Sequence, residues 1–154
     1  MFNVNRRVLG GMMVGASMPG FASAVVAAER YADQKVVYHV NDLPGEDGKH
    51  HRAALNNVQN HIDAVGKGRI EVKVVLHGDG VEMLRQAMSN DKLQSAITSL
   101  KTQNVQFLVC NNTLTGRNIN ADADLFEVFE EDIVPSGVAE LSNLQQKGFT
   151  YVKP

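Results

Sequence analysis

Residues 69–110 read RIEVKVVLHGDGVEMLRQAMSNDKLQSAITSLKTQNVQFLVC, and the changing period of their apolar residues decides the fold. Arg69–Leu76 is short and rich in β-branched residues, which predicts a strand, and Gly78-Asp79-Gly80 ends it. A helix is predicted from about Val81 to Met88. A second opens at Asn90 or Asp91 and places Leu93, Ile97 and Leu100 on one face. Val105–Cys110 (VQFLVC) then returns to the strand pattern. Two strands joined through helices run parallel, because a parallel connection must cross over a face of the sheet.

The same alternation continues outward. On the amino-terminal side, Lys35–Val40 (KVVYHV) predicts a first strand, broken by Asn41-Asp42-Leu43-Pro44-Gly45. Asp47 is placed to cap a helix in which Ala54, Leu55, Val58, Ile62 and Val65 recur at spacings of three and four, and Gly66 and Gly68 end it. On the carboxyl side, Asn111–Asn120 reads as a polar loop and Asp122–Phe129 as a short helix with acidic residues in its first turn. Ile133-Val134 is a fourth strand. Ser136 caps a helix through Val138, Leu141 and Leu144 that stops at Gly148, and Phe149–Val152 is a terminal strand. Strand and helix alternating five times predict an α/β fold, a three-layer α/β/α sandwich on a mostly parallel sheet of five strands.

Residues 1–28 stand apart. Arg6-Arg7 is followed by an uncharged run from Val8 to Ala28, with small residues at Ala22-Ser23-Ala24 and Val26-Ala27-Ala28. This is the pattern of a cleaved signal peptide, and it predicts a periplasmic protein whose single domain is residues 29–154. Gly10, Gly11, Gly15, Ser17, Pro19 and Gly20 interrupt the apolar stretch, which suits a twin-arginine leader better than a stable membrane span. The export route, Sec or twin-arginine, stays open. Without the leader the chain keeps 13 Lys+Arg against 17 Asp+Glu, a formal charge of −4. A mildly acidic domain with no basic cluster argues against nucleic acid as a partner.

One cysteine among 154 residues excludes an internal disulfide. In an α/β sheet, ligands gather where the carboxyl ends of the strands open into loops. At that edge the sequence places His39 and Asp42 at the carboxyl end of the first strand, His77 at that of the second, and Cys110-Asn111-Asn112-Thr113 at that of the third, with Thr115, Gly116 and Arg117 further along the loop. A thiolate is stabilised by a nearby imidazolium, a fixed cation or free backbone N–H groups, so Cys110 is either a nucleophile served by these neighbours or a buried packing residue. All five histidines fall between His39 and His77. His50 and His61 are eleven residues apart on one helix, about 16 Å at 1.5 Å per residue, too far for one ion. The only workable metal set is His39, His77 and Cys110, and no metal is assigned. No dinucleotide or Walker phosphate loop and no G-x-S-x-G elbow occurs, and the residues imply no cofactor.

Val105–Ile119 (VQFLVCNNTLTGRNI) resembles the central signature of the DsrE/DsrF-like family, in which a strand delivers a cysteine into a loop followed by a Gly-Arg step. Ile133–Pro154 (IVPSGVAELSNLQQKGFTYVKP) resembles the family's closing helix and strand, so the likeness spans about residues 34–154. It implies a five-stranded parallel sheet flanked by helices, assembly into homotrimers or homohexamers, and, as in the sulfur-trafficking members, a cysteine that carries a persulfide between sulfur donor and acceptor proteins. Cys110 is the one position that inherits the role; some relatives carry a second cysteine where this chain has Thr113. Two functional classes follow: a sulfur carrier or sulfurtransferase acting through Cys110, and a non-catalytic oligomeric module that binds a small ligand or metal and whose cysteine is structural.

Overall fold

The computed structural model describes residues 30–154; the leader expected at residues 1–28 lies outside them. The elements run β1 (Gln34–Val40), α1 (Lys49–Val65), β2 (Ile70–Leu76), α2 (Glu82–Ala87), α3 (Asp91–Lys101), β3 (Gln106–Cys110), α4 (Asn111–Arg117), α5 (Ala121–Asp124), β4 (Ile133–Val134), α6 (Gly137–Gln146) and β5 (Thr150–Val152). The strands form one sheet in the order β4-β3-β2-β1-β5, and every pairing is parallel. The predicted three-layer α/β sandwich is therefore the fold. Among the described residues no helix is long and apolar enough to cross a membrane.

Strand alternation sorts the side chains into two layers. Val36, Tyr38, Val40, Val72, Val74, Leu76, Phe107 and Val109 face the larger core, closed by the apolar stripes of α1 (Leu55, Val58, Ile62) and α3 (Leu93, Ile97, Leu100). Val37, Val75 and Leu108 face the other way, against Leu141, Leu144 and Phe149. The chain steps from β1 to β4 in one direction with its helices on the first face, then crosses back through α6 on the second to place β5 beside β1. One short helix cannot cover that face. Its amino-terminal half is polar, with the Lys35 and Lys73 ammonium groups over the Phe149 ring at 5.6 and 5.9 Å.

Local expectations hold where a side chain does the capping. Asn90 accepts from the N–H groups of Lys92 and Leu93, and Ser136 from that of Ala139. Four expectations are corrected. Asp47 does not cap α1; it sits in a 3-10 turn at φ 50°, and left-handed Gly48 precedes the helix with no side-chain cap. Asn111–Arg117 is helix α4 rather than loop, since Leu114 is drawn into the larger core and left-handed Asn118 ends the helix. The helix expected through Phe129 stops at Asp124, because Leu125 and Val128 reach the core only with the backbone extended at Leu125 and left-handed at Glu127. Val138 faces outward, 65% exposed.

The turn after β2 is held by a close backbone approach. Gly80, in the 3-10 turn Gly78–Val81, lies against the end of β1 so closely that a Cβ there would come within 1.9 Å of the Val40 carbonyl oxygen. The turn cannot accept a side chain without moving β1 or itself. Gly80→Ala is expected to lower the unfolding free energy by about 2 kcal/mol or more, read as a fall in the urea midpoint.

His51 is 1% exposed and donates through Nε2 to the Asp42 carbonyl at 3.0 Å. Burial holds its pKa down to about 4 from 6.5; the His50 charge adds to the depression, and Glu82 and Asp79 oppose it. The folded chain thus keeps His51 neutral where the unfolded chain protonates, so stability is full above pH 6.5 and is lost as pH falls toward 4. His39, also held down to about 4, acts in the same direction. In urea titrations across this window the slope of stability against pH should be shallower for His51→Gln than for the wild type.

Candidate functional site

Cys110 ends β3 on the face that carries α6, and α4 begins at the next residue. The strand delivers the sulfur and the helix turns its first N–H groups back toward it. The N–H groups of Asn112 and Thr113 and the Thr113 hydroxyl donate to Cys110. A second helix start arrives from the other side. β4 pairs Cys110 with Val134, three residues before Gly137 opens α6, and the Gly137 N–H also donates to the sulfur. Burial by itself would push the thiol up. The donors, Gly137 first, outweigh it and hold the thiol below its ordinary value.

Two details fix this cradle. Thr113 Oγ1 accepts the Gly78 N–H at 2.9 Å, which leaves its own hydroxyl hydrogen for the sulfur. Gly137 is hemmed in: a Cβ there would stand 3.0 Å from His77 Cβ and 3.3 Å from Cys110 Cβ. The N–H reaches the sulfur because no side chain holds the helix start away.

The histidines lie on the same face of neighbouring strands. His39 Nε2 and His77 Nε2 are 2.6 Å apart, with the rings nearly parallel and their centroids 4.7 Å apart. His39 Nδ1 lies 2.7 Å from the Tyr151 hydroxyl on β5. Burial lowers both histidines, and His77 and Lys153 add to the effect at His39.

The structure thus brings Cys110, Asn112, Thr113 and His77 into one neighbourhood and links His39 to it. Asp42 instead forms an ion pair with Lys153. Arg117 is engaged by Asp79 at 2.8 Å, and every donor that lowers the thiol is a group other than Arg117. Asn111, Thr115 and Gly116 are on the exposed side of α4. Among the described residues no group of three or more His, Cys, Asp or Glu side chains is arranged to hold a metal ion. The His39, His77 and Cys110 set is therefore not assembled, and the two imidazoles are hydrogen-bonded to each other.

Two residues of the site escaped the sequence reading. Gly137 had one signal, a glycine directly after a capping serine, and Tyr151 had another, its alternation with apolar neighbours on the terminal strand.

A profile of the DsrE/DsrF-like family matches residues 34–154. The solved structure of a protein of unknown function from Methanobacterium thermoautotrophicum is similar to this chain at a TM-score of 0.65 and 27% identity, over 79% of this chain and 100% of that one. No curated protein matches.

The cradle is open to a direct test. Thr113→Val removes the hydroxyl donor, and Gly137→Ala forces His77 and Cys110 apart. In both variants the thiolate absorbance of Cys110 should titrate at higher pH than in the wild type, and Thr113→Val should also cost about 1 kcal/mol of stability through the lost Gly78 partner.

Proposed function

The chain belongs to the DsrE/DsrF-like family, and from that premise we propose that it is a periplasmic sulfur-handling protein in which Cys110 carries sulfane sulfur as a persulfide. Membership points to a sulfur-relay type of role. The observation that carries the finer reading is the set of donors from Gly137, Thr113 and Asn112 converging on the only cysteine of the chain. A nucleophilic sulfur must be a thiolate, and a persulfide product is an anion of the same kind, so one cradle serves both.

The step balances as a thiol exchange. The Cys110 thiolate attacks the terminal sulfur of a donor persulfide, a new S–S bond forms, and the donor S–S bond breaks with its electron pair leaving on the donor sulfur, which takes up a proton. An acceptor thiolate then attacks the outer sulfur and releases the Cys110 thiolate. No net oxidation occurs. Cys110 is 5% exposed, which favours a compact or extended sulfur donor over a bulky one.

Export rests on the pattern of residues 1–28: a basic pair, an uncharged run and small residues before the cleavage point. Assembly into homotrimers or homohexamers rests on the habit of the family. The second reading, a small-ligand module with a structural cysteine, is favoured by a cavity of about 350 Å³ away from Cys110, lined by Val40, Asp42, His50, His51, Ala53, Ala54 and Pro154.

Intact-protein mass spectrometry after incubation with polysulfide separates the two. The carrier reading expects the wild type to gain one sulfur atom, removable by a thiol, and Cys110→Ser to gain none while keeping its oligomeric state. A wild type that stays unmodified under conditions that load an established carrier overturns it.

A further inference from the structure

Tyr151, His39 and His77 form an unbroken hydrogen-bonded chain that runs along the carboxyl edge of the sheet from β5 through β1 to the end of β2. The links are 2.7 Å from the Tyr151 hydroxyl to His39 Nδ1 and 2.6 Å from His39 Nε2 to His77 Nε2. The outer end is in water, since Tyr151 is 41% exposed. The inner end lies beside the thiol. His77 follows Leu76, which pairs with Val109, so His77 and Cys110 are neighbours across two parallel strands, and both press on Gly137. Among the described residues His77 Nδ1 has no hydrogen-bond partner, so it is the ring atom of the chain's inner end that can exchange a proton.

We infer that Tyr151, His39 and His77 are a proton conduit for Cys110, passing protons between water and the sulfur that leaves or enters during exchange. This rests on the sulfur-transfer reading and adds to it the way in which protons travel.

Two facing imidazole nitrogens at this distance need one proton between them, and that proton can sit on either. In the first arrangement the Tyr151 hydroxyl donates to His39 Nδ1, His39 Nε2–H donates to His77 Nε2, and His77 carries its second proton on Nδ1. When the donor thiolate leaves, His77 Nδ1 gives it that proton. The His39 proton moves to His77 Nε2, the Tyr151 proton moves to His39 Nδ1, and Tyr151 takes a replacement from water. In the second arrangement His77 Nδ1 is bare. It then accepts the proton of the incoming acceptor thiol, and the same shifts in reverse return one proton to water. The two half-reactions need opposite proton flows, so a full cycle resets the chain. Each shift breaks one N–H or O–H bond and forms another, with no redox change.

The surrounding charges fit a conduit that rests uncharged. His39 faces Lys153 from beyond β5 and His77 from β2, while the Asp42 carboxylate after β1 is occupied by Lys153. Burial, His77 and Lys153 hold His39 down to about 4, so neither ring is a standing cation at neutral pH. The thiolate is held by N–H groups, and the histidines remain free to exchange protons.

The test uses Tyr151→Phe and His39→Gln in the full chain, with thermal unfolding as the check that both fold. Three rates are measured: sulfur loading of Cys110 from a glutathione persulfide donor, its transfer to a free thiol, and alkylation of Cys110 by iodoacetamide. Both variants should slow loading and transfer by roughly 10²-fold, the scale of general acid–base catalysis. Alkylation, which needs the thiolate but no proton delivery, should change less than about twofold, and added imidazole should restore transfer in the variants. Normal loading and transfer in folded variants, or slowed alkylation in step with transfer, overturns the conduit alone. A wild type that takes up no sulfur overturns the sulfur reading and the conduit with it.

Discussion

Pairing all five strands in one direction governs the rest of the molecule. A parallel neighbour cannot be reached by a tight turn, so each connection crosses a face of the sheet, and each strand ends at the same edge. His39, His77 and Cys110 occupy that edge because each lies within one residue of the carboxyl end of its strand. Alternation then puts all three on the face that carries α6, the first turn of which arrives between them. The return from β4 to β5 adds Tyr151 beside His39. Four segments distant in sequence meet through one rule of strand direction.

At Cys110 two opposing effects set the chemistry. Burial disfavours a charged sulfur, and converging N–H donors favour it. The donors win because two helix starts point at one atom, where the dipoles and unpaired N–H groups of both act together. Gly137 is what allows the second start to approach, since His77 and Cys110 leave no room for a side chain. The same burial that opposes the charge also shields the sulfur from water and bulky reagents. In the sulfur-carrier reading we propose, hydrogen bonding would make such a thiol reactive while packing guards the sulfur it holds.

Much of this is legible in the sequence. The β-branched runs, the helical stripes of α1 and α3, and the caps at Asn90 and Ser136 carry their own local physics, and they stand where the pattern put them. The misreadings share a cause. Asn111–Arg117 is mostly weak helix formers (Asn, Thr and Gly) and looks like a loop, yet Leu114 is drawn into the larger core and the segment winds up. Residues beyond Asp124 have helical spacing, yet Leu125 and Val128 reach the core only in extended or left-handed backbone. In both places tertiary packing overrode a weak local preference.

For the site, sequence order placed Cys110, His39 and His77 at one edge and marked the thiol as the centre of interest, because strand ends and turn residues are local properties. Which groups gather around the thiol was a tertiary matter. Arg117 looked like its cation and pairs with Asp79 instead. Gly137 and Tyr151 lie 27 and 41 positions along the chain from Cys110; the first entered through the pairing of β4 with β3, the second when the crossover through α6 brought β5 back beside β1. Periodicity reports on neighbours three, four or two residues away. Contacts made across a crossover depend on sheet order and register, which no local pattern encodes.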